Sequence, residues 1–383
     1  MTLEIKNLKK TAKRIVKAIK NKQRIILYGD SDMDGVSSVI ILQETIKSLG
    51  SDNIEIYFPD RENDGYGINE KALLFLKKFA PCLLISVDLG IGNHKEVVIA
   101  KKLCFEVIII DHHEILKTLP KADIIVDPKQ KGDKYPFKQF STAGLIFKLS
   151  EIIFENKTPD SLRKSFLELS AMATIADMMP KTDDNAIIIS EGLDYLKSTW
   201  RPGLKALFEI EEIKELDLNQ KVYKVNSLLN VRDVENGLPG SFRLLTISSD
   251  KEAKILAEKL REKGKDRKEK IQKITEEIEA RISSKESEPV VFEGDSKQEW
   301  DFPFMGVVAS IITAKTKKPV FLYSKREKES IGSIRAPFGL NVVEAMKKFS
   351  KKLITYGGHP QAAGFRIKNE HLEEFKKHLF KYF

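Results

Sequence analysis

The sequence predicts an α/β protein in which a parallel-sheet catalytic domain is joined by a long helix to a smaller α/β domain. Three observations predict it. Short β-rich apolar runs alternate with helical stretches through the first part of the chain, the pattern of a parallel sheet covered on both faces. Residues 250–284 are rich in Lys, Glu and Ala with spaced Ile and Leu, and read as one exposed helix. Beyond Pro289 the alternation of strand and helix resumes. These features divide the chain into residues 1–249, a connecting helix at 250–287 and a second domain at 288–383.

Each element has a local reason. Residues 24–28 are a short apolar run, followed by Gly-Asp-Ser-Asp-Met-Asp-Gly and a helical pattern through Leu49. Residues 54–58, 83–87, 106–110 and 123–126 are the next strand candidates. The third and fourth strands end at Asp88 and Asp111, and the fifth is closed by Asp127-Pro128. Helical patterns fill 69–79, 93–103, 141–155 and 161–177. In the second domain, residues 290–292, 319–323, 330–335 and 365–367 read as strands. Helices are expected near 306–315 and 342–348, with a closing helix at the end. No internal repeat or low-complexity tract occurs.

Composition bounds the class. The chain has 383 residues, 42% of them apolar and 32% charged, which fits a soluble globular protein of roughly two domains. No run approaches the ~20 apolar residues of a membrane span. Residues 1–22 are lysine-rich and amphipathic, without the apolar core or cleavage site of a signal peptide. Two cysteines, Cys82 and Cys104, exclude a disulfide scaffold and a cysteine-rich zinc site, and suit a reducing cytoplasm. The net charge is +9; residues 1–250 hold 36 basic and 36 acidic side chains, and 251–300 also balance. The excess therefore lies in 301–383, among residues such as Lys315, Lys317, Lys318, Arg335, Lys347 and Lys348, and points to a polyanionic partner.

The acids carry the strongest signal. Asp30, Asp32 and Asp34 follow the first strand, Asp88 the third, and Asp111-His112-His113 the fourth. Ligands of open α/β sheets sit beyond the carboxyl ends of the strands. Carboxylates crowded there repel one another unless cations neutralise them, and oxygen ligands with a few imidazoles suit Mn²⁺ or Mg²⁺ better than zinc. Two ions about 3.5–4 Å apart can clamp an in-line attack at phosphorus. An EF-hand loop starting at Asp30 fails, because its twelfth position is Ile41. Gly90-Ile-Gly92 lacks the third glycine of a dinucleotide-binding loop, and there is no P-loop. Any single Asp here reads as a helix N-cap, but three strand ends with one pattern do not. Asp177 ends an apolar helical segment before Pro180, where a metal centre would offset the cost of burying it.

Taken in order, Asp-x-Asp-x-Asp-Gly, the strand-end Asp, Asp-His-His, Ala-Asp-x-x-Pro and Gly-Gly-His resemble the DHH phosphoesterase superfamily, and within it the RecJ-like single-stranded-DNA exonucleases. Supporting segments are Tyr28-Gly-Asp-Ser-Asp-Met-Asp-Gly35, Asp64-Gly-Tyr-Gly67, Tyr135-Pro-Phe137, Ser141-Thr-Ala-Gly144, Thr174-Ile-Ala-Asp177 and Tyr356-Gly-Gly-His-Pro-Gln-Ala-Ala-Gly-Phe365. The likeness covers nearly the whole chain and is to the shorter, archaeal-type or minimal members. Where those enzymes carry an Asn-Ala-Ala-Gly-Arg-like segment, this chain has Asn226-Ser-Leu-Leu-Asn-Val-Arg-Asp233, with Asn230 at the arginine position and Arg232 displaced.

The resemblance implies a DHH catalytic domain, a DHH-associated substrate domain, a site in the cleft between them, and two divalent cations, Mn²⁺ or Mg²⁺. By motif position Asp30, Asp32 and Asp88 hold one ion. Asp34, Asp88, His112 and Asp177 hold the other. His113 faces the phosphate or the leaving oxygen, and Asp111 orients His112 or its own strand end. Ser333, Arg335, Gly357, Gly358 and His359 are expected to hold a substrate phosphate. Without the resemblance, Gly357-Gly358 reads as a tight turn and His359 as a cap. Phe338, Tyr356 and Phe365 lie among basic residues and are candidates to stack on bases, although most such aromatics are core.

The implied activity is metal-dependent hydrolysis of single-stranded DNA to mononucleotides from the 5′ end, in the cytoplasm, with a replication or repair protein as a further partner and no membrane. Short RNA or a cyclic dinucleotide is the alternative substrate. A non-catalytic replication scaffold ranks last, because every acidic ligand position is filled.

Overall fold

The computed structural model describes residues 4–60, 67–115, 118–295, 297 and 299–383. The Asp64-Gly-Tyr part of one motif lies outside these residues. The chain forms two units, Met1–Gly264 and Lys265–Phe383.

In the first unit, β1 (Ile25–Gly29), β2 (Ile54–Tyr57), β3 (Cys82–Val87), β4 (Phe105–Ile110) and β5 (Ile124–Val126) pair in parallel, in the order β2-β1-β3-β4-β5. Successive side chains serve opposite cores: Ile25 and Leu27 enter one, Ile26 and Tyr28 the other. A strand buried on both faces must be largely apolar, which is why β1 and β3 read as apolar runs, whereas the half-buried edge strand β2 carries Glu55. One face is covered by α1 (Leu8–Lys20), α2 (Met33–Ser48), α5 (Thr142–Ile153) and α6 (Asp160–Ala176). The other is covered by α3 (Glu70–Leu76) and α4 (His94–Lys102). The chain leaves β1 toward β2 and returns to pair β3 on its other side, so a topological switch point opens between β1 and β3.

The helical extension follows as α7 (Asp183–Leu196), α8 (Pro202–Phe208), α9 (Glu211–Lys214), α10 (Leu218–Leu229), the two-stranded β6 (Val234–Glu235) and β7 (Leu238–Pro239), and α11 (Gly240–Thr246). Buried Arg201 anchors it. Its Nη2 donates to both carboxylate oxygens of Glu44 of α2 at 2.9 Å, while Nε donates to Ser165 Oγ on α6 and Nη1 to the Leu245 carbonyl. Arg232 pairs with Asp60, and Asn226 donates to the Met172 carbonyl.

The long helix α12 spans Asp250–Ile282, and each unit takes part of it. In the second unit β8 (Val291–Asp295) pairs in parallel with β9 (Val320–Lys325). β10 (Glu329–Arg335), β12 (Ala362–Lys368) and β11 (Leu353–His359) complete an antiparallel run beside β9. The end of α12 and α13 (Phe302–Thr316) pack on one face; α14 (Val342–Lys348) and α15 (Leu372–Tyr382) pack on the other. β11 replaces the turn expected at Gly357-Gly358. Gly358 has φ +130°, and a Cβ on it would lie 2.4 Å from the Ala362 carbonyl oxygen, so the strand pairing itself demands glycine.

Candidate metal centre

The carboxyl ends of β1, β3 and β4 are adjacent, and each runs directly into an aspartate. α2 begins with Asp32 as its N-cap, the carboxylate accepting the N–H groups of Asp34 and Gly35 at 3.1 Å. Gly35 packs against the end of β1: a Cβ there would lie 2.4 Å from the Asp30 carbonyl oxygen. That approach brings Asp30, Asp32 and Asp34 to one strand end. Asp88 sits in the left-handed region at φ +64°, which Asp tolerates better than most residues.

The α5 N-terminus pins the acids from across the core. Asp34 accepts the amides of Thr142 at 2.7 Å and Ala143 at 2.8 Å, and Thr142 Oγ1 donates to Asp88 at 3.0 Å. Ser141 caps the same helix by accepting the Gly144 amide and lies 3.0 Å from Thr174 Oγ1 on α6. Asp177 follows α6 directly, as its C-cap. Thr142 was not assigned a role from sequence; its signal is its place in Ser-Thr-Ala-Gly at a helix start.

Three sets of ligand atoms meet, each within 4.8 Å: Asp30 with Asp32 and Asp88, Asp34 with His112 and Asp177, and Asp88 with His112 and His113. His112 Nε2 faces carboxylate oxygens of Asp88 at 3.4 Å, Asp177 at 3.4 Å and Asp34 at 3.8 Å. Neither buried His112 Nε2 nor buried Asp177 Oδ2 has a hydrogen-bond partner among the described residues. Buried polar atoms without partners are costly, and atoms aimed at one another across that gap fit a cation between them.

The electrostatics agree. Burial, then the charge of Asp177, pushes Asp34 up to about 8 despite the amide of Ala143. Burial and four neighbouring aspartates raise Asp88 well above the ordinary carboxylate range. Burial, then Asp32, raises Asp177 to about 6. Burial, then the charge of His113, brings His112 down to about 4, so it is a neutral imidazole at pH 7. Without a cation the cluster holds protons; a divalent ion would take their place.

Asp111 differs from expectation. Its carboxylate takes the ring of His113, not of His112, with Nδ1 at 2.7 Å. It also accepts the backbone amides of His112, His113 and Ile91, which fastens the strand end as expected. Burial disfavours a proton on His113, but the Asp111 hydrogen bond and charge outweigh it and lift His113 to about 9. The His113 side chain is 45% exposed, so a charged imidazolium faces solvent beside the cluster. Asp127 at the end of β5 went unassigned. It is buried, its Oδ2 lacks a hydrogen-bond partner among the described residues, and burial raises it to about 7.

In the second unit, the sheet register sets Ser333 opposite Gly364 and Gly364 opposite Gly357, then Arg335 opposite Ala362 and Ala362 opposite the His359 backbone. Opposed residues share a face. Ser333 and Arg335 therefore border a floor of small residues, opposite the core that takes Ile334, Ala363 and Phe365. Gly306 of α13 leaves the space beside Arg335 Nη2 and Ser333 Oγ. Arg335 pairs with no carboxylate among the described residues and donates only to the neighbouring Ile334 carbonyl; burial lowers its pKa. The side chain of His359 lies outside the described residues. Phe365 is core, whereas Tyr356 and Phe338 are exposed, Phe338 at 97%.

Comparison with known proteins finds a match in each unit. Residues 24–174 match the DHH family, N-terminal domain, and residues 288–383 match the DHHA1 domain. The chain is 34% identical over 381 residues to the single-stranded-DNA-specific exonuclease RecJ of Bacillus subtilis, covering 98% of this chain and 48% of that protein. It thus spans about half the length of that relative. A crystal structure of exonuclease RecJ bound to manganese superposes with a TM-score of 0.85 at 27% identity, covering 99% of this chain and 95% of that one. RecJ from Thermus thermophilus in complex with Mn²⁺ gives 0.84 at 25% identity, over 100% of this chain and 55% of that one. The chain thus carries a DHH-family N-terminal domain, which holds the parallel sheet and its strand-end acids, and a DHHA1 domain.

Proposed function

We propose that this protein is a metal-dependent exonuclease that hydrolyses single-stranded DNA to mononucleotides from the 5′ end. One observation carries the proposal: Asp30, Asp32 and Asp88 on one side, and Asp34, His112 and Asp177 on the other, bring their ligand atoms together at the switch point, where buried His112 Nε2 and Asp177 Oδ2 have no hydrogen-bond partner among the described residues. The similar RecJ proteins act on single-stranded DNA by name, and similar solved structures hold manganese or magnesium.

Asp30, Asp32 and Asp88 would hold one divalent cation, Mn²⁺ or Mg²⁺, and Asp34, Asp88, His112 and Asp177 would hold the other. The ions, when bound, would supply Lewis acidity toward a phosphodiester and a water molecule. The protein's own groups do the rest. Thr142 and the α5 amides hold Asp88 and Asp34 in place. Asp111 holds His113 protonated, so that it can donate to a phosphoryl or leaving oxygen. Ser333 and Arg335, with the amides of Gly357 and Gly358, hold a phosphate of the strand; a guanidinium without a carboxylate partner among the described residues is suited to a forked anion contact. The reading places the activity in the cytoplasm, in DNA repair or replication with a protein partner. Among the described residues no helix is long and apolar enough to cross a membrane.

The test is product mapping on 5′- and 3′-labelled DNA and RNA single strands, each with Mn²⁺ and with Mg²⁺. The expected result is mononucleotides released from the 5′ end of DNA. Intact DNA at micromolar enzyme would refute the proposal, and preferential cleavage of short RNA would move the substrate to oligoribonucleotides.

A further inference from the structure

The balanced charge of residues 1–250 hides a local excess. α1 contains six basic residues and no acid. Lys10, Lys13, Lys17 and Lys20 are exposed and follow one another at steps of three and four, so they form one stripe along the helix. None of the four has an ion-pair partner among the described residues, whereas Lys9 pairs with Glu4 and Arg14 with Glu106. The contrast with α12 is direct, since there Lys259 and Lys263 meet Asp233 and Lys270 meets Asp266. Like charges at such spacing destabilise a helix, so the stripe is a liability unless an anion meets it.

The direction of α1 matters. Asn7 donates to the Ile125 carbonyl near the carboxyl end of β5, while Arg14 is forked onto Glu106 near the amino end of β4. The helix therefore runs against the strands. It starts at the sheet edge where the acids gather and leads away from it. From Lys10 to Lys20 it covers about 15 Å at ~1.5 Å per residue. The opposite side of α1 is spent in the core, with Leu8, Ala12, Ile15 and Ala18 all buried, so no apolar face is left to enter a lipid surface. What remains is a row of point charges, which grip a nucleic-acid backbone without reading its bases.

We propose that the stripe of Lys10, Lys13, Lys17 and Lys20 is a second nucleic-acid contact, holding phosphates of a single strand beyond the nucleotides at the metal centre. The choice of strand rests on the exonuclease reading above. The test uses the full chain in EDTA, with binding to a long single strand and to a short oligonucleotide measured across a salt series. The K10Q/K13Q/K17Q/K20Q variant is compared with wild type and with the matching Lys→Arg variant, and melting curves confirm that each is folded. The expected result is weaker binding of the long strand only, with a salt slope shallower by up to about 3, at ~0.7 per phosphate contact, and full binding in the Arg variant. An unchanged slope, an equal loss on both lengths, or displacement of the strand by polyglutamate at equal charge would overturn the proposal, the last by assigning the stripe to an acidic protein. Cleavage of the short oligonucleotide with Mn²⁺ separates the two ideas. If neither protein cleaves it, the exonuclease reading fails while the binding result stands; if both cleave it and the slopes agree, only the stripe fails.

Discussion

At the scale of single residues, the centre is a set of acids held in an unfavourable state that a cation relieves. Asp34, raised to about 8, keeps a proton in the folded protein that the unfolded chain releases near its ordinary value of 3.8. His113, raised to about 9, keeps one above its ordinary 6.5. The folded state thus binds more protons than the unfolded state above neutrality, and stability falls as pH rises. His112, lowered to about 4, has the opposite sign, but its contribution is complete once the pH exceeds 6.5. The metal-free protein is expected to melt at lower temperature as pH rises from about 7 to 9. Saturating Mn²⁺ should make that decline shallower, because its binding displaces the proton of Asp34 while His113 keeps its own. Melting curves with EDTA and with Mn²⁺ check this, and a flat metal-free profile would count against it. Asp88→Asn should abolish turnover yet raise the metal-free melting temperature, by ~2–4 °C for each kcal/mol of repulsion relieved. A lower melting temperature for that variant would mean that Asp88 is already compensated by its protein neighbours.

At the scale of elements, what positions the acids is a set of helix and strand ends, and these were unequally legible. Asp30, Asp88 and Asp111 could be placed from sequence because each ends an apolar run, and a strand buried on both faces leaves no other reading. The α5 N-terminus could not be connected to them. Its bonds from Thr142 and Ala143 to Asp34 join residues more than a hundred positions apart, and no periodicity reports such a contact. β11 was missed for a different reason. It is an edge strand containing two glycines, so it lacks both the apolar alternation and the β-branched content that mark a strand. The short helices α8, α9 and α11 offer too few turns for a 3.6-residue period to emerge. Thr142→Val tests the helix contact. It removes the hydroxyl from Asp88 while keeping the shape, and is expected to weaken Mn²⁺ binding by ~10-fold or more with little change in fold. Unaltered affinity by titration calorimetry would show that Asp88 needs no such support.

At the scale of the whole molecule, the two units divide the work by charge. The first gathers acids that call for cations. The second carries most of the net positive charge together with a partly buried guanidinium at Arg335 that no described carboxylate neutralises. Arg335→Ala is expected to raise KM for single-stranded DNA by ~10-fold or more, as for a lost charge-assisted contact of about 1.5–3 kcal/mol, with a smaller effect on kcat. A fall confined to kcat would instead place Arg335 at the reacting phosphate. The positive net charge also hid its own distribution, since the lysines of α1 are cancelled in the sum by acids elsewhere in the first unit.

The proposed chemistry needs two cations sharing one cluster of side chains. Anomalous scattering from crystals soaked in Mn²⁺ examines that without assuming any substrate. The predicted result is two peaks about 3.5–4 Å apart, one among Asp30, Asp32 and Asp88 and the other among Asp34, His112 and Asp177. A density map in which these six residues surround no manganese would contradict it.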